Sequence, residues 1–414
     1  MPTPNRWFIA AAAVVMQMAL GAVYAWSVFR APLTSAYGWT ISEVTFAFTI
    51  AIFVLGFAAF AGGEWMRRVG PRRVALAAGL LYGLGVFLTS LSADRLWVLY
   101  GAYGLLAGTG LGLGYIVPVA TLVKWFPDRR GTLTGIAVGG FGAGALITAP
   151  IATRLISQVG TMPTFAILGA VYFVAVTGGA LFMRNPPAGY VPPGWTPTAS
   201  QQQQRASRPF TLREAVGCWQ WYGLWALLFL NVTAGIAIIS QAAPMAQEMT
   251  GVSAVSAAGI VGIMSIANGL GRFLWASLSD VIGRRQVFLL MFPLQAVVFV
   301  LFPTVGSAPA FTIMACVILL CYGGGFGTMP AFVADYFGAE HVGSIYGLML
   351  TAWGCAGVFG PMLIATLREA NGRYNEALVV IAAVMLVATA IPMLVGAPLP
   401  PQARSAPVAG GVGA

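Results

Sequence analysis

Apolar segments long enough to cross a membrane recur twelve times along this chain, and no other feature narrows its fold so far. Their centres fall near Met18, Phe53, Tyr82, Gly108, Gly142, Phe173, Phe229, Ile263, Leu290, Leu319, Gly354 and Met385. A helix rises about 1.5 Å per residue, so about 20 apolar residues cross the hydrocarbon of a bilayer. The expectation is an all-α membrane protein of twelve transmembrane helices. Composition agrees: 59% of residues are hydrophobic and 8% are charged, where a soluble domain carries about 25% charged residues. The first apolar stretch runs from about Trp7 to Val28. That is longer than the roughly 7–15 apolar residues of a signal peptide, so it reads as the first membrane helix rather than a cleaved leader.

A polar stretch divides the twelve segments into two sets of six. PPAGYVPPGWTPTASQQQQRASRPF is rich in Pro, Gln and Ser and has no apolar period, which marks a linker. The expected organisation is a six-helix bundle over 1–186, a cytoplasmic linker over 187–212, a second bundle over 213–398 and a cytoplasmic tail over 399–414. The end of the linker region, FTLREAVGCWQW, is expected to form a short interfacial helix.

The net charge of +10 is not a nucleic-acid signature, because the basic residues lie in short clusters between apolar segments. With the N-terminus inside, the cytoplasmic segments hold fifteen of them: Arg6, Arg67, Arg68, Arg72, Arg73, Lys124, Arg129, Arg130, Arg184, Arg205, Arg208, Arg213, Arg284, Arg285 and Arg404. The outer side holds five, Arg30, Arg95, Arg154, Arg368 and Arg373, and Arg272 lies within the membrane. This bias places both termini in the cytoplasm.

Arg272 is the chemically informative residue. It sits in SAAGIVGIMSIANGLGRFLWASLSD with no charged neighbour before Asp280. An arginine cannot shed its proton, and its burial in hydrocarbon costs about 2.5–3.5 kcal/mol on insertion scales. Such a charge faces a protein-lined cavity, where it meets an anion; the alternative is that it snorkels to the interface or forms a structural ion pair. Asn268 precedes it by four residues and shares its helical face. The pair offers a guanidinium fork for a carboxylate and an amide for a 2-hydroxyl or 2-oxo group. No other acid sits deep in a segment, and the single histidine, His341, lies in a cytoplasmic loop. No HExxH, no GxSxG and no paired intramembrane acids occur, so an enzyme is not expected. Cys218, Cys316, Cys321 and Cys355 lack metal-ligand spacing and read as packing residues. No cofactor or metal is expected.

The two halves repeat. KWFPDRRGTLTG follows the fourth segment and DYFGAEHVGSIYG the tenth; GEWMRRVGPRR follows the second and SLSDVIGRRQ ends the eighth. GEWMRRVGPRR resembles the signature Gly-x-x-x-Asp-Arg-x-Gly-Arg-Arg of the major facilitator superfamily, with Gly63, Arg68, Gly70, Arg72 and Arg73 matching and Arg67 in place of the usual Asp. The second copy keeps that acid as Asp280, followed by Gly283, Arg284 and Arg285. The resemblance implies the major facilitator fold, two six-helix bundles related by a parallel repeat, with the substrate site near the midplane between them. It also implies a cytoplasmic gate, for which Asp280, Arg68, Arg72 and Arg284 are the candidates, with Glu64 as a substitute for the missing acid.

KWFPDRRG, GAVYAW and NGLGR are similar to the branch joining monocarboxylate transporters and oxalate–formate exchangers, in particular to bacterial homologues of the former that carry L-lactate. The resemblance implies a small monocarboxylate substrate such as L-lactate or pyruvate, alternating access in the bacterial inner membrane, protons as the coupled partner and a monomer as the functional unit. Electroneutral exchange without proton coupling is the alternative. Relatives in the monocarboxylate group carry an Asp where Asn268 stands. Oxalate exchangers carry a lysine in the eleventh segment, where this chain aligns Trp353; its only lysine is Lys124. One buried cation suits one carboxylate. Aligned aromatic positions add Tyr115, Tyr322, Phe326 and Tyr24 to the expected substrate site, with Trp26 and Trp353 weaker candidates and Val28 and Phe141 as apolar lining; lipid contact or interhelical packing is the other reading for each.

Overall fold

The computed structural model describes residues 5–196 and 209–399. Among these every regular element is a helix, as the bilayer demands: its core offers no water to backbone amides and carbonyls, so each spanning segment must satisfy its own. Twelve helices are long and apolar enough to cross: α1 (Arg6–Ala25), α2 (Phe46–Val69), α3 (Pro71–Thr89), α4 (Leu96–Trp125), α5 (Arg130–Val159), α6 (Thr161–Ala180), α7 (Trp219–Ala242), α8 (Gly259–Ile282), α9 (Arg284–Thr304), α10 (Ala308–Phe337), α11 (Val342–Arg368) and α12 (Asn375–Leu394). Parts of the linker and tail assigned from sequence, 197–208 and 400–414, lie outside the described residues. The linker region does end in a helix, Leu212–Val216, fixed by a capping box between Thr211 and Glu214.

The first segment runs further than its hydropathy suggests. GAVYAW tightens into a 3-10 turn at Ala22–Ala25, and the chain continues helically through Trp26–Tyr37. The break re-aims Tyr24 without ending the helix.

Two glycines explain why the signature segments turn alike. Gly70 joins α2 to α3 at φ 83°, ψ 165°, and Gly283 joins α8 to α9 at φ 101°, ψ 153°. This region is essentially closed to residues with a Cβ.

Glycines also set how closely the helices approach. α8 lies between α5 of the first half and α10 of its own half. On the α10 side, a methyl at Gly323 or Gly327 would run into the carbonyl of Asn268 or Arg272, and one at Gly271 into that of Leu320. On the α5 side, a methyl at Gly135 would stand 2.6 Å from the Arg272 carbonyl, and one at Gly142 2.8 Å from the Gly269 Cα. Small residues at such crossings let backbones touch, which is how membrane helices associate without a hydrophobic drive. The consequence is local: the backbone at Arg272 is held on two sides, and its side chain is completely buried.

Candidate functional site

The site is built around the Arg272 guanidinium. Nε approaches Asn268 Oδ1 at 3.4 Å, one helical turn back, and Nη1 donates to the Val138 carbonyl of α5 at 3.1 Å. Nη2 is buried and has no hydrogen-bond partner. The guanidinium carbon lies 5.4 Å from the Phe141 ring centroid and 5.1 Å from that of Phe326. Among the described residues no carboxylate pairs with it. Ring faces contribute about 0.5–2 kcal/mol each, and hydrogen bonds to a charged group about 1.5–3 kcal/mol. Burying an ion still costs several kcal/mol after relaxation. One carbonyl, a long contact to an amide, the neighbouring Tyr24 hydroxyl and two ring faces, with no anion among the described residues, leave this charge under-compensated, with Nη2 as a free donor.

Aromatic side chains wall the guanidinium. Trp353 of α11 lies against Phe326 (4.7 Å between centroids), Tyr115 (5.6 Å), Phe141 (5.9 Å) and Tyr24 (6.3 Å). Phe141 also contacts Tyr24 at 5.1 Å and Tyr115 at 5.4 Å, and Tyr322 contacts Phe326 at 5.3 Å. Tyr115, Tyr322, Phe326, Phe141 and Trp353 are all fully buried. Six helices from both halves therefore converge here: α1, α4, α5, α8, α10 and α11.

Polar groups line the same space. The hydroxyls of Tyr24 and Tyr322 approach each other across the two halves at 3.4 Å. The Tyr115 hydroxyl is buried against that of Tyr346, and the Trp353 indole N–H is buried without a hydrogen-bond partner. Each half pins one tyrosine's backbone with a buried amide: Gln17 of α1 donates to the Tyr115 carbonyl at 3.1 Å, and Asn231 of α7 donates to the Tyr322 carbonyl at 3.1 Å. Asn231 is in turn held by Gln295 at 3.1 Å. Such support fixes side chains a ligand would meet.

A second polar cluster ties the halves together at the arginine-rich end. Asp280 accepts from the Gly131 amide (3.0 Å), the Thr132 amide (2.7 Å) and the Thr132 hydroxyl (2.7 Å), and pairs with Arg284 at 2.6 Å. Its carboxylate caps the start of α5 across the interface, where orphan amides and the helix dipole favour an anion. Arg284 continues to Asp335 at 3.0 Å, and Arg130 of the first half meets the same Asp335 at 2.8 Å.

The structure brings Arg272, Asn268, Tyr115, Tyr322, Phe326, Tyr24 and Trp353 to one place. Val28 is half-buried one turn beyond Tyr24, in the helix Trp26–Tyr37, packed against the apolar core. Trp26 packs away from the site against Tyr103 and Phe165. Of the gate candidates, Asp280 and Arg284 lie in the network. Arg72 instead bonds the Leu181 carbonyl within its own half, and Arg68 is exposed beside Glu64. Sequence reasoning missed the Val138 carbonyl, the central place of Phe141 and the part of Arg130 and Asp335 in the network. The run GIAVGGFGAG around Phe141 carried the signal, since its glycines mark where α5 meets α1 and α8.

Comparison with known proteins agrees with this architecture. The MFS-type transporter YhjX of Escherichia coli (strain K12) is 31% identical over 86% of each chain. The oxalate:formate antiporter of Oxalobacter formigenes is 27% identical over 94% of this chain and 90% of its own. Monocarboxylate transporter 13 of Rattus norvegicus is 25% identical over 90% and 85%. In fold the chain is similar to the E. coli fucose:proton symporter FucP, with a TM-score of 0.68 over 94% of this chain and 99% of that one at 15% identity. These relatives and this fold are transporters, not enzymes, and twelve apolar helices make a multi-pass membrane protein. The model of the Major Facilitator Superfamily matches residues 7–361 and again 225–412, and the chain belongs to that superfamily.

Proposed function

We propose that this transporter moves small monocarboxylates, L-lactate and pyruvate among them, across the bacterial inner membrane by alternating access, with a proton as the coupled partner and both termini cytoplasmic. The observation that carries the reading is the wholly buried Arg272 guanidinium, which has an unused donor at Nη2 and no carboxylate partner among the described residues. A substrate carboxylate supplies the missing anion. Its two oxygens match the planar fork, while Asn268 serves the 2-hydroxyl or 2-oxo group. The aromatic walls exclude water and fit a small body. Trp353 supports a monoanion, since no second cation stands in the box for a second carboxylate. Similarity to a monocarboxylate transporter and to an oxalate:formate antiporter supports small organic anions as the class.

A second reading of the coupling rests on the same charge. A symporter must return empty, and an empty site here carries an uncompensated Arg272. An exchanger avoids that step, because an anion occupies the site on every crossing. Electroneutral exchange of monocarboxylates is therefore the alternative.

The test of the substrate class is counterflow. Vesicles containing the reconstituted protein are loaded with unlabelled L-lactate and diluted into labelled L-lactate, with pyruvate, acetate, formate and oxalate as competitors. The proposal expects labelled lactate to enter and pyruvate to compete. Absence of counterflow with every monocarboxylate, from protein shown to be folded, overturns it.

A further inference from the structure

The end of the molecule opposite the Asp280 network is built differently from the network end. Along the seam between α5 and α8, a methyl at Gly131 would meet the Ala276 carbonyl, one at Gly135 the Arg272 carbonyl and one at Gly142 the Gly269 backbone. Gly262 lies on the same face of α8 as Gly269, two turns further from the network, and a methyl there would meet nothing within 4 Å. Leu146, one turn beyond Gly142, is exposed. Helices that touch backbone to backbone as far as Arg272 therefore part just beyond it. The helix Trp26–Tyr37, which carries α1 on toward that end, packs on α2, α5 and α6 of its own half.

Tyr24 lies where the helices part. Its ring meets Phe141 edge-on at 5.1 Å and Trp353 at 6.3 Å. Its hydroxyl reaches Tyr322 of the other half at 3.4 Å and adjoins the Arg272 guanidinium. Tyr115, Tyr322, Phe326, Phe141 and Trp353 are fully buried, whereas Tyr24 is half-buried. Among these six rings it alone extends from the guanidinium to accessible surface. Its hold is slight. Strong hydroxyl pairs lie at about 2.7–2.8 Å, and this one is longer. Tyr24 also sits in the 3-10 turn Ala22–Ala25, whose hydrogen bonds are poorer than those of the α-helix on either side. The other end is held by the Asp280 carboxylate on the start of α5 and by two ion pairs to Asp335. Moving one side chain uncovers Arg272 from one end; uncovering it from the other requires the halves to separate.

We infer that Tyr24 is a lid over Arg272, closing the path into the aromatic box from the end opposite the Asp280 network and swinging aside on the 3-10 turn to admit a small anion. A side-chain swing is faster than a movement of whole bundles. Tyr24 therefore sets how quickly a guest enters and leaves, while the network at the other end sets when the halves separate. That the guest is a monocarboxylate rests on the function proposed above; that Tyr24 covers the guanidinium does not.

Phenylglyoxal, which adds to guanidinium groups, is the probe. The full-length protein in nanodiscs is exposed to it for increasing times, and modification of each arginine is followed by peptide mass spectrometry. Arg373, an exposed residue, is the reference; Arg130 and Arg284 report on the network end. The unmodified protein should react at Arg272 far more slowly than at Arg373. Tyr24→Ala should speed the reaction at Arg272 about tenfold and leave Arg130 and Arg284 unchanged. Tyr24→Phe keeps the ring and loses only the hydroxyl, so its rate should fall between the two. An unchanged rate at Arg272 in both variants overturns the lid. So does a rise at Arg272 matched by equal rises at Arg130 and Arg284, which would mean that the reagent enters through the network end. L-lactate added to Tyr24→Ala should protect Arg272. Failure to protect, with the tenfold acceleration present, upholds the lid and counts against the proposed substrate alone.

Discussion

Arg272 Nη1 donates to the Val138 carbonyl, 3.1 Å away in the other half of the molecule. The one charge buried at the centre is thus also a bond between the two bundles. It spends one donor on holding them together and leaves another, Nη2, without a partner. A ligand that draws the guanidinium toward itself competes with that bond, so occupancy of the site and the relation of the halves are linked through one side chain.

Trp353 should decide how many charges the substrate carries. It touches Tyr115, Phe141, Phe326 and Tyr24, so a lysine there would project its ammonium into the same box as Arg272. In counterflow the unmodified protein is expected to favour L-lactate over oxalate. Trp353→Lys should raise oxalate competition relative to lactate by about tenfold or more, the effect of roughly 1.4 kcal/mol from a second charge pair. Strong oxalate competition by the unmodified protein contradicts this account of selectivity.

Coupling separates the two transport readings. Vesicles containing only buffer are given an inward proton gradient and labelled L-lactate outside. Symport predicts accumulation that rises as the outside is acidified and collapses with a protonophore. If lactate enters only after a monocarboxylate has been placed inside, the exchanger reading replaces symport.

The Asp280 network carries a prediction of its own. Asn at this position loses the charge that three donors and Arg284 share. Charge-assisted bonds exceed neutral ones by about 1–1.5 kcal/mol. Amide hydrogen exchange at Gly131 and Thr132 should therefore accelerate about tenfold in Asp280→Asn, while amides of α6 keep their protection. Unchanged exchange at the two amides would contradict a role for Asp280 in holding the two halves together at this end.

Much of this arrangement was legible in the sequence because it rests on hydropathy and charge. Twelve apolar segments need no tertiary information to be read as helices, and one arginine without a nearby acid draws attention by cost alone. The signature glycines, Gly70 and Gly283, announced turns that only glycine makes easily. Phase was what failed. α5 is small and apolar on every face, so nothing in its periodicity tells Phe141, over the guanidinium, from Ile136, which is exposed. Val138 acts through a backbone carbonyl, and any residue type has one. Trp26 sits two residues from Tyr24 in sequence, yet beyond the 3-10 turn at Ala22–Ala25 it packs against Tyr103 and Phe165. The part of Arg130 and Asp335 in the ion-pair network depends on the docking of the two halves, which neither local segment encodes.

The central claim is that Arg272 binds the substrate carboxylate, and titration calorimetry of L-lactate into the purified, folded protein tests it most directly. Arg272→Lys keeps a charge but loses the planar fork, and Arg272→Gln loses the charge. Losing a bond to a charged group costs about 1.5–3 kcal/mol, so both variants should bind lactate on the order of 10- to 100-fold more weakly while melting as cooperatively as the parent. Near-normal affinity in both would contradict the account and remove Arg272 from the site.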